Sequence, residues 1–221
     1  MAEIKFSKHH EIKEDRFIEW LAEAKKKILE KQKKIWTVFV IILVIAALVF
    51  FFRWDKKQKN YLADKLFGKV MVLFQDGKTQ EGVDTLQKIY KDFPGTHAAS
   101  KSLFILANLE YHNNNYENAI KFYEIYEREY GRGDFFHAAA VKGIGACYEQ
   151  KKEYDKALKY YERIRKDFKD DFSIPEILLK MARCYKATDK MEKSKTMCEE
   201  LISKYEKSEY ADQAKLLLNS L

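Results

Sequence analysis

Three sets of residues recur in step along this chain, and no other feature narrows its folding options as far. Phe93, Tyr130, Phe168 and Tyr205 stand 37, 38 and 37 residues apart. Gly82, Ala119, Ala157 and Ser194 keep the same intervals and are all small. Val70, Ala107, Gly145 and Ala182 keep them again. A fixed period of this length marks a chain of stacked supersecondary units, each too small to bury its own apolar face. The period predicts four units near 60-95, 96-133, 134-172 and 173-208, with residues 209-221 as a helix that covers the last.

The residues inside each unit are helical in kind. Lys, Glu, Leu, Ala and Tyr dominate, only 2 prolines and 8 glycines punctuate 221 residues, and no period-two run of β-branched residues is sustained. The third unit carries Ile144, Gly145, Tyr148, Tyr154, Ala157, Tyr161, Ile164 and Phe168 in order. The second carries Leu106, Ala107, Tyr116, Ala119, Tyr123, Tyr126 and Tyr130. Turn-forming stretches fall at 112–118, 149–155 and 186–192. Joints between units show Pro94-Gly95, then Gly131 and Gly133 with Asp134 as a cap, then Ser173 with Pro175 and Glu176. Ser173 is the expected N-cap and Glu176 its capping-box partner.

This order resembles the tetratricopeptide repeat, whose signature runs Leu-Gly, Tyr, Ala, an aromatic residue and a closing Pro. The resemblance covers residues 60–221 and implies antiparallel helix pairs stacked into an α-solenoid. Small residues are expected where two helices approach, with Gly145 opposite Ala157. Gly143 has no such reason and is expected on the groove side, where it would let a partner come close. The first unit matches least well, with Lys69-Val70 and Gly82 at the diagnostic positions. It is expected to cap the stack or to continue the preceding helix.

That preceding helix is the second strong signal. Residues 35–52 read IWTVFVIILVIAALVFFF, without a charge. As a helix the run spans roughly 27 Å, close to the hydrocarbon thickness of a bilayer. Trp36 and Trp54 sit at its ends like an interfacial belt, and Lys33, Lys34, Arg53, Lys56 and Lys57 flank it. Its length, and the bulky residues after it, predict a signal anchor rather than a cleaved leader. Ahead of it, Phe17, Leu21, Ala24 and Ile28 recur at helical spacing among lysines, as in an interfacial helix or an extension of the span. Ten Lys/Arg in residues 1–34 mildly favour a cytoplasmic N-terminus and an extracytoplasmic repeat domain. Three unpaired cysteines, Cys147, Cys184 and Cys198, pull weakly the other way; a Cys184–Cys198 pair is not supported by spacing alone.

Charge argues against nucleic acid. The net charge is +7, but residues 1–59 hold 14 Lys/Arg against 8 Asp/Glu and residues 60–221 hold 27 against 26. Chemistry is equally sparse. No nucleophile-elbow, phosphate-loop or zinc-protease motif occurs, and His9, His10, His97, His112 and His137 lack metal spacing. The acidic pairs Glu199-Glu200 and Asp170-Asp171 read as solvated surface. No enzyme, cofactor, metal or small-molecule substrate is expected.

Through the resemblance, binding falls to the concave face lined by the first helix of each unit. The second unit offers Lys101, Phe104, Asn108, Tyr111 and His112, the third Lys142, Ala146, Glu149 and Gln150, and the fourth Glu176, Leu179, Arg183 and Lys186. The carboxylate-clamp version of the repeat is not implied, because Ala139 and Gly143 stand where it needs polar groups. The layout is also similar to the YfgM-like family of ancillary SecYEG translocon subunits, which have a basic N-terminal helix, one anchor and a repeat domain. The expectation is therefore an all-α chain: a basic helix or tail over 1-34, a transmembrane helix over 35-54 in contact with the lipid bilayer, and a repeat domain over 55-221. It would act as a membrane-anchored scaffold of the bacterial cell envelope, with its domain outside the cytoplasmic membrane. Its partner would be a chaperone, translocon or envelope-assembly protein. The alternative is a cytoplasm-facing tether for a division or organelle complex.

Overall fold

The structure, a computed structural model, describes residues 11–131 and 136–221. Gly133 and Asp134, expected at a joint between units, and His9 and His10 lie outside the described residues. The described residues are helical throughout, with no strand among them: α1 (Glu11–Gln75), α2 (Thr79–Asp92), α3 (His97–His112), α4 (Tyr116–Tyr130), α5 (His137–Gln150), α6 (Tyr154–Asp167), α7 (Ile174–Ala187), α8 (Met191–Lys204) and α9 (Glu209–Leu218). The chain divides into two compact units, Met1–Lys57 and Gln58–Leu221.

In the first unit, residues 35–52 of α1 are apolar on every side. An 18-residue window reaches a mean hydropathy of 3.1 with none of it buried, and among the described residues this is the one helix long and apolar enough to cross a membrane.

In the second unit the helices pair in sequence order, and the end of α1 is the first helix of the first pair. Ala63 and Val70 of α1 share a core cluster with Leu86 and Ile89 of α2 and Ala98, Ala99 and Leu106 of α3. A second cluster joins α3 to α6, and a third joins α5 to α9. Both small-residue columns lie inside these clusters or between them: Val70, Ala107, Ala119, Ala157, Ala182 and Ser194 are fully buried. In the fourth pair the two columns touch, Ser194 Oγ donating to the Ala182 carbonyl at 2.8 Å. Burial is the force here: each pair hides one apolar stripe against the next pair.

Every pair turns in the same way. Gly77, Asn114, Lys152 and Asp189 have φ of 75°, 61°, 60° and 55°, and they keep the 37, 38, 37 spacing. The following amide, of Lys78, Asn115, Glu153 or Lys190, donates back to the carbonyl of Leu73, Glu110, Tyr148 or Tyr185 at 2.8–2.9 Å. This closes the first helix on a left-handed residue and satisfies one of its open carbonyls.

Two sequence expectations need correction. A Cβ added at Gly145 would lie 2.6 Å from Cε1 of Tyr161, so the glycine makes room for that ring rather than for Ala157. Ser173 holds the N-cap position of α7, but its hydroxyl donates to Asp171 at 2.5 Å, so no capping box forms. The recurring aromatics do not all sit alike. Phe93, Phe168 and Tyr205 follow the last residue of α2, α6 and α8 with φ near −130°, whereas Tyr130 is still helical and its hydroxyl accepts from the Gly95 amide at 2.9 Å.

Candidate binding groove

The first helices α3, α5 and α7 form a pocket of about 340 Å³. Each contributes one helical stripe: Phe104, Asn108, Tyr111 and His112 from α3, Ala139, Lys142, Gly143 and Ala146 from α5, and Glu176 with Lys180 from α7. The α5 stripe is small at Ala139, Gly143 and Ala146, so the floor recedes. Tyr123 of α4 closes it from below. Its ring lies against Gly143, where an added Cβ would come within 2.6 Å of Tyr123 Cε2. Gly143 thus lies on the groove side as expected, and there it makes room for a side chain of this same chain.

Most polar groups of the pocket are held within the chain, and His112 stands exposed at its edge. Tyr123 Oη donates to Asn108 Oδ1 at 2.8 Å, and Asn108 Nδ2 donates to the Phe104 carbonyl at 2.8 Å. Lys142 Nζ pairs with Glu176 at 2.7 Å, and Lys180 Nζ with Glu149 at 3.3 Å. Burial raises the Tyr111 hydroxyl above its ordinary value, against a hydrogen bond from Gln150 that lowers it. Burial pushes Tyr123 up further, helped by Cys147 and Tyr111.

Of the sequence candidates, Phe104, Asn108, Tyr111, His112 and Lys142 come together in this pocket, along with Ala146 and Glu176. The others serve elsewhere. Lys101 Nζ stands 5.7 Å above the Phe67 ring. Glu149 accepts from Tyr161 Oη at 2.7 Å as well as from Lys180. Arg183 donates to Gln213 at 2.9 Å, and Lys186 to the Ser220 carbonyl and hydroxyl at 2.9 and 2.8 Å. Leu179 is buried in the core. Two residues were missed. Lys180 follows Glu176 by one turn, a signal available in the sequence. Tyr123 sits on a second helix and reaches the groove only because Gly143 lacks a side chain.

Nothing here suits a nucleophile or a metal. Cys147, Cys184 and Cys198 are buried free thiols. Burial pushes Cys147 and Cys184 up to about 12 and raises Cys198, so they stay protonated at neutral pH. Among the described residues no group of three or more His, Cys, Asp or Glu is placed to hold a metal ion.

Paired helices, small contact columns, repeated left-handed turns and a groove along the first helices define an α-solenoid of tetratricopeptide type, a protein-interaction scaffold. The chain belongs to the family of the tetratricopeptide repeat-like domain, whose model matches residues 29–173, and a tetratricopeptide repeat model matches residues 176–208. Families of this fold are typically non-catalytic. No curated protein matches the chain. Among solved structures, a tetratricopeptide repeat protein from Parabacteroides merdae aligns with a TM-score of 0.60 at 15% identity, over 71% of this chain and 59% of its own. MamA from Desulfovibrio magneticus aligns with a TM-score of 0.56 at 13% identity, over 72% and 92%. Both are likenesses of fold.

Proposed function

We propose that this protein is a membrane-anchored adaptor that recruits a protein partner through the inner face of its repeats. The pocket across α3, α5 and α7 carries the reading, because it is where three repeats offer one concave surface. The unburied apolar window of α1 supports the anchor, and the family match that begins at residue 29 takes in both the apolar segment and the repeats. The partner is an envelope protein of the chaperone, translocon or assembly class, met outside the cytoplasmic membrane as in the YfgM-like layout. Catalysis, a cofactor and nucleic acid have no part in this reading.

The groove is tested by placing the photocrosslinker benzoyl-phenylalanine at Tyr111 in the full chain, in its own membrane. Lys159, exposed on α6, is the control. The reading expects one discrete protein adduct from position 111 and none from 159. Equal adducts from both, or none from either, contradict it. The three buried thiols favour one second reading, a domain facing the reducing cytoplasm.

A further inference from the structure

We infer that the pocket between α3, α5 and α7 takes a single uncharged aromatic side chain of the partner. This deepens the groove reading and rests on it. Size gives the first argument. At about 340 Å³ the pocket lies at the low end for ligand sites, room for one bulky side chain rather than a whole cofactor. The surface gives the second. Ala139 and Ala146 leave the floor low, and the rings of Phe104, Tyr111 and Tyr123 stand around it. Aromatic rings prefer edge-to-face partners, and such a pattern already runs through these walls: Phe104 meets Tyr123 at 5.9 Å and 67°.

Charge gives the third argument and decides the class. A carboxylate ligand needs a cation to receive it. Lys142 is paired with Glu176, and Lys180 with Glu149. An acidic group would have to share an ammonium that Glu176 or Glu149 already neutralises, and would sit close to that carboxylate, which weakens the gain. Asn108 is likewise committed, to Tyr123 and to the Phe104 carbonyl. New polar contacts fall to the exposed His112 and to the second N–H of Asn108, and a ligand gains most by covering the ring faces.

The test uses the full chain in lipid nanodiscs and two probes observed by fluorine NMR: N-acetyl-5-fluorotryptophanamide, which is neutral, and N-acetyl-5-fluorotryptophan, which carries a carboxylate. The pocket is filled in Ala139→Trp and, more mildly, in Ala146→Leu, each checked for native helicity by circular dichroism. These variants also correct for partition of the probes into lipid. The inference expects saturable broadening of the neutral probe, at least about five-fold weaker binding when the pocket is filled, and no tighter binding of the carboxylate probe. A carboxylate probe that binds more than about three-fold tighter, and loses that advantage in Lys142→Gln, overturns it. So does a neutral probe indifferent to a natively folded filled pocket. If that happens while position 111 still crosslinks to one protein, the adaptor reading stands and only the aromatic anchor falls. Loss of the discrete adduct removes both.

Discussion

Single glycines separate the forces in this fold, because each is required for a different reason. Gly68 lies inside α1 with nothing within 4 Å of an added Cβ, so Gly68→Ala should stabilise the protein by about 0.5–1 kcal/mol through helix propensity. Gly77 has equally open space, but its φ is +75°, so Gly77→Ala should cost about 1 kcal/mol from the backbone alone. Gly143 is helical, yet its added methyl would press on a Tyr123 ring that is 3% exposed and tied to Asn108. Gly143→Ala should therefore destabilise by about 1–3 kcal/mol, opposite in sign to Gly68→Ala in the same kind of helix. Gly145→Leu should cost more, at the Tyr161 ring. Urea unfolding of the four variants checks the order. Equal gains at Gly68 and Gly143 would remove the packing explanation.

At the scale of the element, buried hydroxyls and thiols give the helix pairs an alkaline limit. Cys147 and Cys184 are raised from 9.0 to about 12 by burial, and Tyr123 and Tyr161 are raised from 10.0 by burial. A raised value means the folded state prefers the neutral form. The stability this represents is fully present below pH 9 and is lost as pH climbs from about 9 towards 12. The last part of the tyrosinate absorbance should thus appear together with loss of helix signal in an alkaline titration. Ionisation of all 14 tyrosines with helicity intact would contradict the burial of Tyr123 and Tyr161.

The helix pairs were largely legible because small and aromatic residues repeat at one interval, and burial demands that repetition. The turns at 112–118, 149–155 and 186–192 were legible too, but not the left-handed column: Gly77, Asn114 and Asp189 are ordinary left-handed residues, while Lys152 gives no hint of its φ. The groove was half legible. Phe104, Asn108, Tyr111, His112 and Lys142 follow from helical spacing, but side-chain partners cannot be counted that way. Glu149, Arg183 and Lys186 share the face, yet Tyr161, Lys180 and the residues of and after α9 engage them. Gly143 lines the groove as helical spacing implies, but the ring it accommodates comes from another helix.

For the molecule as a whole, the proposed function requires one apolar helix as anchor and a repeat scaffold outside the cytoplasmic membrane. The native cysteines cannot report on that side, being buried and protonated. They make a quiet background instead: folded wild-type protein should take up almost no maleimide at pH 7, and unfolding should release all three thiols. A cysteine at exposed Lys159 then gives the most direct measurement. Lys159→Cys is treated in intact cells with a membrane-impermeant maleimide, the membranes are washed in alkaline carbonate, and label is read on the chain that stays in the pellet. The account predicts full labelling before lysis, with the chain retained. Label that appears only after lysis would put the repeats in the cytoplasm, and a chain released by the wash would contradict the anchor itself.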